Sequence, residues 1–212
     1  MPFLALAGNI GSGKSNLTKV LAARLNYEPF FEPVEDNPYL ADFYQDMKAW
    51  AFHSQIFYLI KSLQYNLKLQ KFAAPVIQDR SFYENAEIFA RNLYNDKILT
   101  ERDWKIYREF YETHLPCLKH PDLLIYLKAK PETLMLRIAK RNRESEKPIS
   151  VQYIMRLNEL YDDWICNFKL SPTLTIPIEG TDFRGRPAEQ DELIKLIMSK
   201  TSKTSFTSEI SK

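Results

Sequence analysis

Gly8 to Ser15 reads GNIGSGKS, which satisfies the pattern G-x-x-x-x-G-K-[ST] at every fixed position. Three of the five glycines in the chain, Gly8, Gly11 and Gly13, fall inside this stretch. Without Cβ they can take positive φ and turn successive N–H groups inward, a nest for phosphate oxygens just ahead of a helix N-terminus. Asn9, Ile10 and Ser12 complete the loop. Lys14 is expected to reach the β- and γ-phosphates of a nucleotide, and the Ser15 hydroxyl to ligate Mg²⁺. Such a loop needs a buried strand before it and an amphipathic helix after it. Phe3 to Ala7 (FLALA) is a short continuous apolar run, and Leu17, Val20, Leu21, Ala23 and Leu25 follow at helical spacing.

The chain has 212 residues, 45% of them hydrophobic and 26% charged, which suits one soluble globular domain. Its 29 basic and 27 acidic residues leave a formal charge of +2, too balanced for a protein that grips a nucleic-acid backbone, so no nucleic-acid partner is expected. Two widely separated cysteines, Cys117 and Cys166, indicate neither a disulfide framework nor a zinc site, and reduced thiols point to the cytoplasm. The opening MPFLALAGN has no charged leader, and no apolar stretch approaches the roughly 20 residues of a membrane span, so no membrane partner is expected either.

Outward from the loop, Tyr27 to Pro33 reads as a second strand ending at Glu32, and Asn37-Pro38 as the opening of a helix with Pro38 in its first turn. A long helix is predicted from Trp50 to Lys71, with Phe52, Ile56, Leu59, Ile60, Leu63 and Leu67 on a face that suits burial in a core or an interface. Ala74 to Gln78, Leu123 to Leu127 and Thr173 to Ile178 supply three further strands, Pro177 favouring an edge or terminal place. Apolar runs alternating with helices predict an α/β fold with a five-stranded parallel sheet flanked by helices. Residues 1–199 would form the domain. The Ser-, Thr- and Lys-rich stretch 200–212 lacks periodicity and reads as a mobile polar tail.

Phosphoryl transfer needs a held nucleotide, a metal, an oriented acceptor oxygen and positive charge near the transferring group. Glu32, at a strand end, is placed to take a proton from a hydroxyl. Asp79 ends another strand and could hold Mg²⁺ directly or through water, and Arg80 beside it supplies fixed charge. Arg137 and Arg141 share a helix face at i, i+4 within RIAKRNRESEK, with Arg143 just beyond. Their planar forks suit phosphate oxygens, as an arginine-rich lid closing on ATP; a solvated basic face is the plainer alternative.

These motifs together resemble the deoxyribonucleoside kinase family, most closely its bacterial deoxyadenosine and deoxyguanosine kinases, over nearly the whole chain. GNIGSGKS resembles the family's phosphate loop, FEPVEDNPYL its second-strand motif with Glu32 as general base, and QDRSFYEN its Asp/Glu-Arg-Ser motif at Asp79, Arg80 and Ser81. The resemblance implies a P-loop kinase fold and phosphorylation of a nucleoside 5′-hydroxyl from MgATP, with Lys14, Glu32 and Arg80 catalytic. It further implies that Tyr44 and Glu146 hold the sugar 3′-hydroxyl, Gln55 bonds the base and Phe89 stacks on it. Arg137, Arg141 and Arg143 match the lid, and EGTDFRGRP resembles the loop around the ATP adenine with Asp182 and Phe183 at the matching positions. A homodimer is implied as well. On periodicity alone Tyr44, Gln55 and Phe89 read as ordinary helix residues. Ser62 and Asn85 depart from the family: an Arg/Asp pair that reads the base edge has become two neutral polar groups, which predicts a less discriminating or differently selective pocket, while the resemblance to bacterial deoxyadenosine kinases implies a purine or mixed deoxynucleoside preference. The competing readings are a nucleoside monophosphate kinase of thymidylate type, whose arginines would grip an acceptor phosphate, and a non-catalytic ATP-sensing module.

Overall fold

In a computed structural model, residues 1–31, 36–180, 183 and 187–209 are described, apart from the side chains at 145 and 202–209. Five strands, β1 (Phe3–Gly8), β2 (Glu28–Phe30), β3 (Val76–Asp79), β4 (Leu123–Lys128) and β5 (Thr173–Pro177), form one sheet in the order β2-β3-β1-β4-β5. Every pairing is parallel. Central β1 is buried along its whole length, and β4 for all but its last residue, because helices cover the sheet and an apolar run loses no surface to water there. Edge strand β5 buries alternate residues and ends on Pro177, whose missing N–H costs nothing at that position.

The connections place the phosphate loop. From β1 the chain passes through helix α1 (Lys14–Leu25) to the sheet edge at β2, and from β3 it crosses back to β4. Departures from β1 and β4 lead to opposite edges, so the C-terminal end of β1 opens onto the crevice where α/β proteins bind ligands.

Two helices follow β2, the short α2 (Leu40–Gln45) and the long α3 (Met47–Gln70), the latter capped by the Asp46 carboxylate accepting from Ala49 N at 3.2 Å. Helix α2 begins two residues later than the Asn37-Pro38 signal predicts. Asn37 Oδ1 accepts from Tyr39 N at 3.0 Å and its Nδ2 donates to Ser54 Oγ at 3.0 Å, a side-chain turn that competes with helix at Pro38. The predicted apolar stripe on α3 splits: Leu59 and Leu63 are buried, whereas Ile60 and Leu67 are 39% and 43% exposed. The buried face runs instead through Ala51, Ser54, Gln55, Leu59, Leu63, Asn66 and Leu69. Ser54 and Gln55 sit there because this part of the face walls a polar cavity, while Asn66 exchanges two hydrogen bonds with the Lys119 backbone.

After β3 come α4 (Phe82–Glu84), a π-helical turn (Asn85–Ala90) and α5 (Arg91–Asn95), then α6 (Glu101–His114). Helices α7 (Pro131–Arg141) and α8 (Val151–Asn167) pack together after β4. The last helix, α9, runs from Pro187 to Glu209, past position 200, where composition predicts the polar tail.

Tyrosines are unusually prominent in the core. Burial raises the phenols of Tyr83, Tyr107, Tyr111, Tyr126, Tyr153 and Tyr161 above their ordinary 10.0, with Glu87 adding at Tyr111, Asp162 at Tyr126 and Glu84 at Tyr161. Above pH 10 the unfolded chain therefore loses phenolic protons that the native one keeps, and stability falls as pH rises. Stability should hold through neutral pH and drop beyond 10, with phenolate absorbance rising together with loss of ellipticity. Phenolate absorbance that rises well before unfolding would contradict the burial.

Candidate active site

At the end of β1 the backbone turns through the phosphate loop. Gly11 has φ 81°, and a Cβ there would stand 2.9 Å from the Leu134 carbonyl oxygen of α7, so both conformation and space demand glycine. Gly13, φ 91°, is the N-cap of α1 and turns the chain into that helix. Asn9 ties the loop down: its Oδ1 accepts from Ile10 N at 2.7 Å, and its Nδ2 donates to Asn158 Oδ1 at 2.7 Å and to the Ile154 carbonyl at 3.0 Å, both on α8. Lys14 Nζ donates to the carbonyls of Gly8 at 2.7 Å and Asn9 at 3.2 Å, which holds the ammonium in the loop.

Strand register sets the next contact. Leu6 on β1 pairs with Asp79 on β3, and just beyond, Ser15 Oγ donates to Asp79 Oδ2 at 2.5 Å. A hydroxyl and a carboxylate oxygen side by side are the hard donors that Mg²⁺ prefers. No group of three or more His, Cys, Asp or Glu that could hold a metal occurs among the described residues. Mg²⁺ needs none, since it commonly takes one or two protein ligands plus phosphate oxygens and water.

Arg80 follows Asp79 with φ 68°, a left-handed conformation that costs a long side chain of order 1–3 kcal/mol. Its N–H donates to the Leu6 carbonyl at 3.0 Å, which pins the turn to β1. The guanidinium lies 4.3 Å from the Phe89 ring centre, donates from Nη1 to the Tyr161 hydroxyl at 2.9 Å, and stands 3.5 Å from Glu84 Oε1. Glu84 is fully buried. Its Oε1 accepts from Gly8 N at 3.2 Å and from the Tyr161 hydroxyl at 2.7 Å; its Oε2 accepts from Ser81 N at 2.7 Å and Ser81 Oγ at 3.0 Å. One carboxylate thus joins the phosphate loop, the Asp79-Arg80-Ser81 turn and α8.

These groups face a cavity of about 290 Å³. Gly11, Gly13, Lys14 and Ser15 line its phosphate end, together with Ile10; Tyr44, Gln55, Arg80, Asn85 and Phe89 line the remainder. Asn85 and Phe89 both come from the π-helical turn, a geometry frequent at functional sites.

A sequence profile described as deoxynucleoside kinase matches residues 4–202. The chain belongs to the deoxynucleoside kinase family. It is 37% identical over 181 residues to a deoxyadenosine/deoxycytidine kinase of Bacillus subtilis, covering 84% of this chain and 83% of that one. Identity to a deoxyguanosine kinase of Lactobacillus johnsonii is 32% over 209 residues, with 94% and 92% covered. The solved structure of a deoxyadenosine kinase from M. mycoides with bound dCTP superposes at a TM-score of 0.79, with 31% identity and 93% and 98% covered. The protein is a deoxynucleoside kinase, a phosphotransferase.

The other site residues expected from sequence are distributed as follows. Arg141, Arg143 and Glu146 also line the cavity of this kinase. Arg141 donates to Glu146 from Nε at 3.0 Å and Nη2 at 2.6 Å, and Arg143 Nη1 stands 3.6 Å from the same carboxylate. Arg137 lies apart from them, bridging the carbonyls of Ser12 and Ile178 at 3.2 Å each, so it touches the loop's backbone and is absent from the cavity lining. Phe183 packs partly buried against the core, its carbonyl accepting from Gln190. Glu32 and Asp182 lie outside the described residues. Sequence reasoning passed over Tyr58 and Tyr153, which line the cavity, and the Glu84–Tyr161 pair behind it. For Tyr153 and Tyr161 the only sequence signal is aromatic periodicity on α8, indistinguishable from core. Glu84 has one readable cue, its place three residues after Ser81 in a capping box.

Replacing Glu84 by Ala would leave Ser81 N, Gly8 N and the Tyr161 hydroxyl without their buried acceptor beside a buried guanidinium. A loss of roughly 3–5 kcal/mol is expected, read as a fall in the urea midpoint at unchanged slope.

Proposed function

We propose that this kinase moves the γ-phosphoryl group of ATP to the 5′-hydroxyl of a deoxynucleoside seated in the 290 Å³ cavity, with a purine or mixed base preference. The observation that carries this reading is the continuity of one cavity from the phosphate loop at Lys14 to a base-sized end bounded by Gln55 and Phe89. Its relatives, a deoxyadenosine/deoxycytidine kinase and a deoxyguanosine kinase, support the base range. ADP release dependent on an added deoxynucleoside, with its 5′-monophosphate as product, tests it; ADP release only with a monophosphate acceptor would favour the thymidylate-type alternative.

In this scheme the bond from the nucleoside O5′ to Pγ forms as the bridging bond to the β-phosphate breaks, and ADP leaves. Glu32 accepts the hydroxyl proton, a role supported by its place in the sequence two residues after the end of β2, whose last residue Phe30 pairs with Gln78 beside Asp79. Lys14 turns its ammonium from the two loop carbonyls to the β- and γ-phosphate oxygens. Ser15 and Asp79 would hold Mg²⁺, which supplies Lewis-acid stabilisation of phosphate charge when bound with ATP. Arg80, fixed by Phe89 and Tyr161, offsets charge at the attacking oxygen without reorganising. Arg141 and Arg143 contribute positive charge at the transferring group while Arg137 braces the loop, and Asp182 and Phe183 border the adenine. Tyr44 and Glu146 hold the 3′-hydroxyl.

We assign the active unit as a homodimer joined through the exposed faces of α3 and its neighbour α6, where Ile60, Leu67 and Ile106 stand in water at 39%, 43% and 52% exposure. No described helix is long and apolar enough to cross a membrane. Exposed free thiols at Cys117 and Cys166 suit a reducing cytoplasm.

Glu32→Gln should lower kcat by about 10²- to 10⁴-fold while the nucleoside still binds. Near-normal turnover in the folded variant would remove Glu32 from the role of base. Tyr44→Phe should bring 3′-hydroxyl and 3′-deoxy substrates closer in kcat/KM by about tenfold. Equal loss on both would refute the 3′-hydroxyl contact.

A further inference from the structure

The base end of the cavity contains two carboxamides, and they differ in how they are held. Gln55 is 5% exposed, and its Oε1 has no hydrogen-bond partner among the described residues. An amide free to turn over can offer oxygen or NH₂ to either neighbour, so Gln55 suits an amino or an oxo base edge equally well. Asn85, 3% exposed, is anchored: its Nδ2 donates to Ser62 Oγ at 2.6 Å and to the Tyr58 main-chain carbonyl at 3.4 Å. A carbonyl can only accept. Turning the Asn85 amide over would set two carbonyl oxygens against each other, so the NH₂ stays on the α3 side. Ser62 and Tyr58 lie one turn apart on α3 and present both oxygens to one point, and the π-helical turn carries Asn85 to it. Oδ1 is the polar atom that remains, and it is a pure acceptor.

We propose that Ser62 and the Tyr58 carbonyl lock Asn85 with Oδ1 toward the base, so that the enzyme selects bases with an amino group at purine C6 or pyrimidine C4. Adenine and cytosine donate to that oxygen. An oxo group in the same place sets lone pairs against lone pairs in a buried setting, and a site built for a hydrogen-bond donor rejects such a ligand. Ser62 is a positioning residue, outside the cavity lining and acting through Asn85. The inference rests on the deoxynucleoside reading of the cavity and narrows it from purine or mixed to amino-bearing bases.

Two matched pairs test it, deoxyadenosine against deoxyinosine and deoxycytidine against deoxyuridine, each differing by amino for oxo at the critical position. In the unmodified enzyme the amino member should lead in kcat/KM by at least about tenfold in both pairs. Ser62→Ala removes the nearer acceptor, at 2.6 Å, and leaves the amide held only by the 3.4 Å bond to the Tyr58 carbonyl, so both ratios should fall to within about threefold, while Ser62→Thr, which keeps the hydroxyl, should restore them. Equal use of both members, or preference for the oxo member, overturns the proposal. So does a Ser62→Ala variant that loses activity on both members alike, since a structural role alone would leave the ratios unchanged. Calorimetric binding of the same four nucleosides reads base choice without turnover. Amino-selective binding with no phosphorylation would overturn the transfer reading and uphold the base assignment, whereas unselective binding would overturn the assignment itself.

Discussion

The buried carboxylate of Glu84 is the contact on which the site depends. Four donors from three segments meet on it: Gly8 N in the phosphate loop, Ser81 N and Oγ in the turn after β3, and the Tyr161 hydroxyl on α8. A charge sealed from water is costly unless hydrogen-bonded from several sides, so the three segments are held in the one arrangement that answers it. That arrangement also fixes Arg80. Its left-handed backbone is tolerable because the Leu6 carbonyl, the Tyr161 hydroxyl and the Phe89 ring all constrain it, and an arginine so confined has little conformational freedom left to lose.

From that anchor the two ends of the cavity are coupled in structure. Phe89 receives the Arg80 guanidinium on one side and lies edge-on to Tyr161 at 6.4 Å, so the cavity wall away from the phosphate loop is packed on groups that also hold that loop. Asn85 belongs to the same π-helical turn, and both side chains line one wall of the cavity. Helix α3 lines the same cavity with Ser54, Gln55 and Tyr58, and Ser54 and Gln55 are two of the polar residues on its buried face.

Several elements were legible in the chain because their signals are local. GNIGSGKS is contiguous, and each glycine demand can be read from the pattern; the apolar runs of β1 and β4 declare burial on both faces without reference to neighbours. Pro177 announced an edge. The start of α2 was misjudged by two residues because Asn37 bonds Ser54, a partner seventeen positions away that no local signal identifies. The stripe on α3 left core and interface open for a related reason: helical spacing shows that residues share a face, while the neighbours of that face come from elsewhere in the chain.

By itself the sequence determined the phosphate loop, the parallel α/β sheet and, through motif resemblance, the kinase family, since each depends on short-range order that the polypeptide carries along its length. Only the tertiary structure decided that Glu84 and Tyr161 knit the loop to the Asp79-Arg80-Ser81 turn, that Arg137 parts company with Arg141 and Arg143, and that Ser62 and Asn85 are bonded to each other. Apart from the local Arg141–Glu146 pair, those contacts join residues more than twenty positions apart. Hydrogen bonds between distant residues come from how strands and helices pack in three dimensions, and packing is a property of the folded whole.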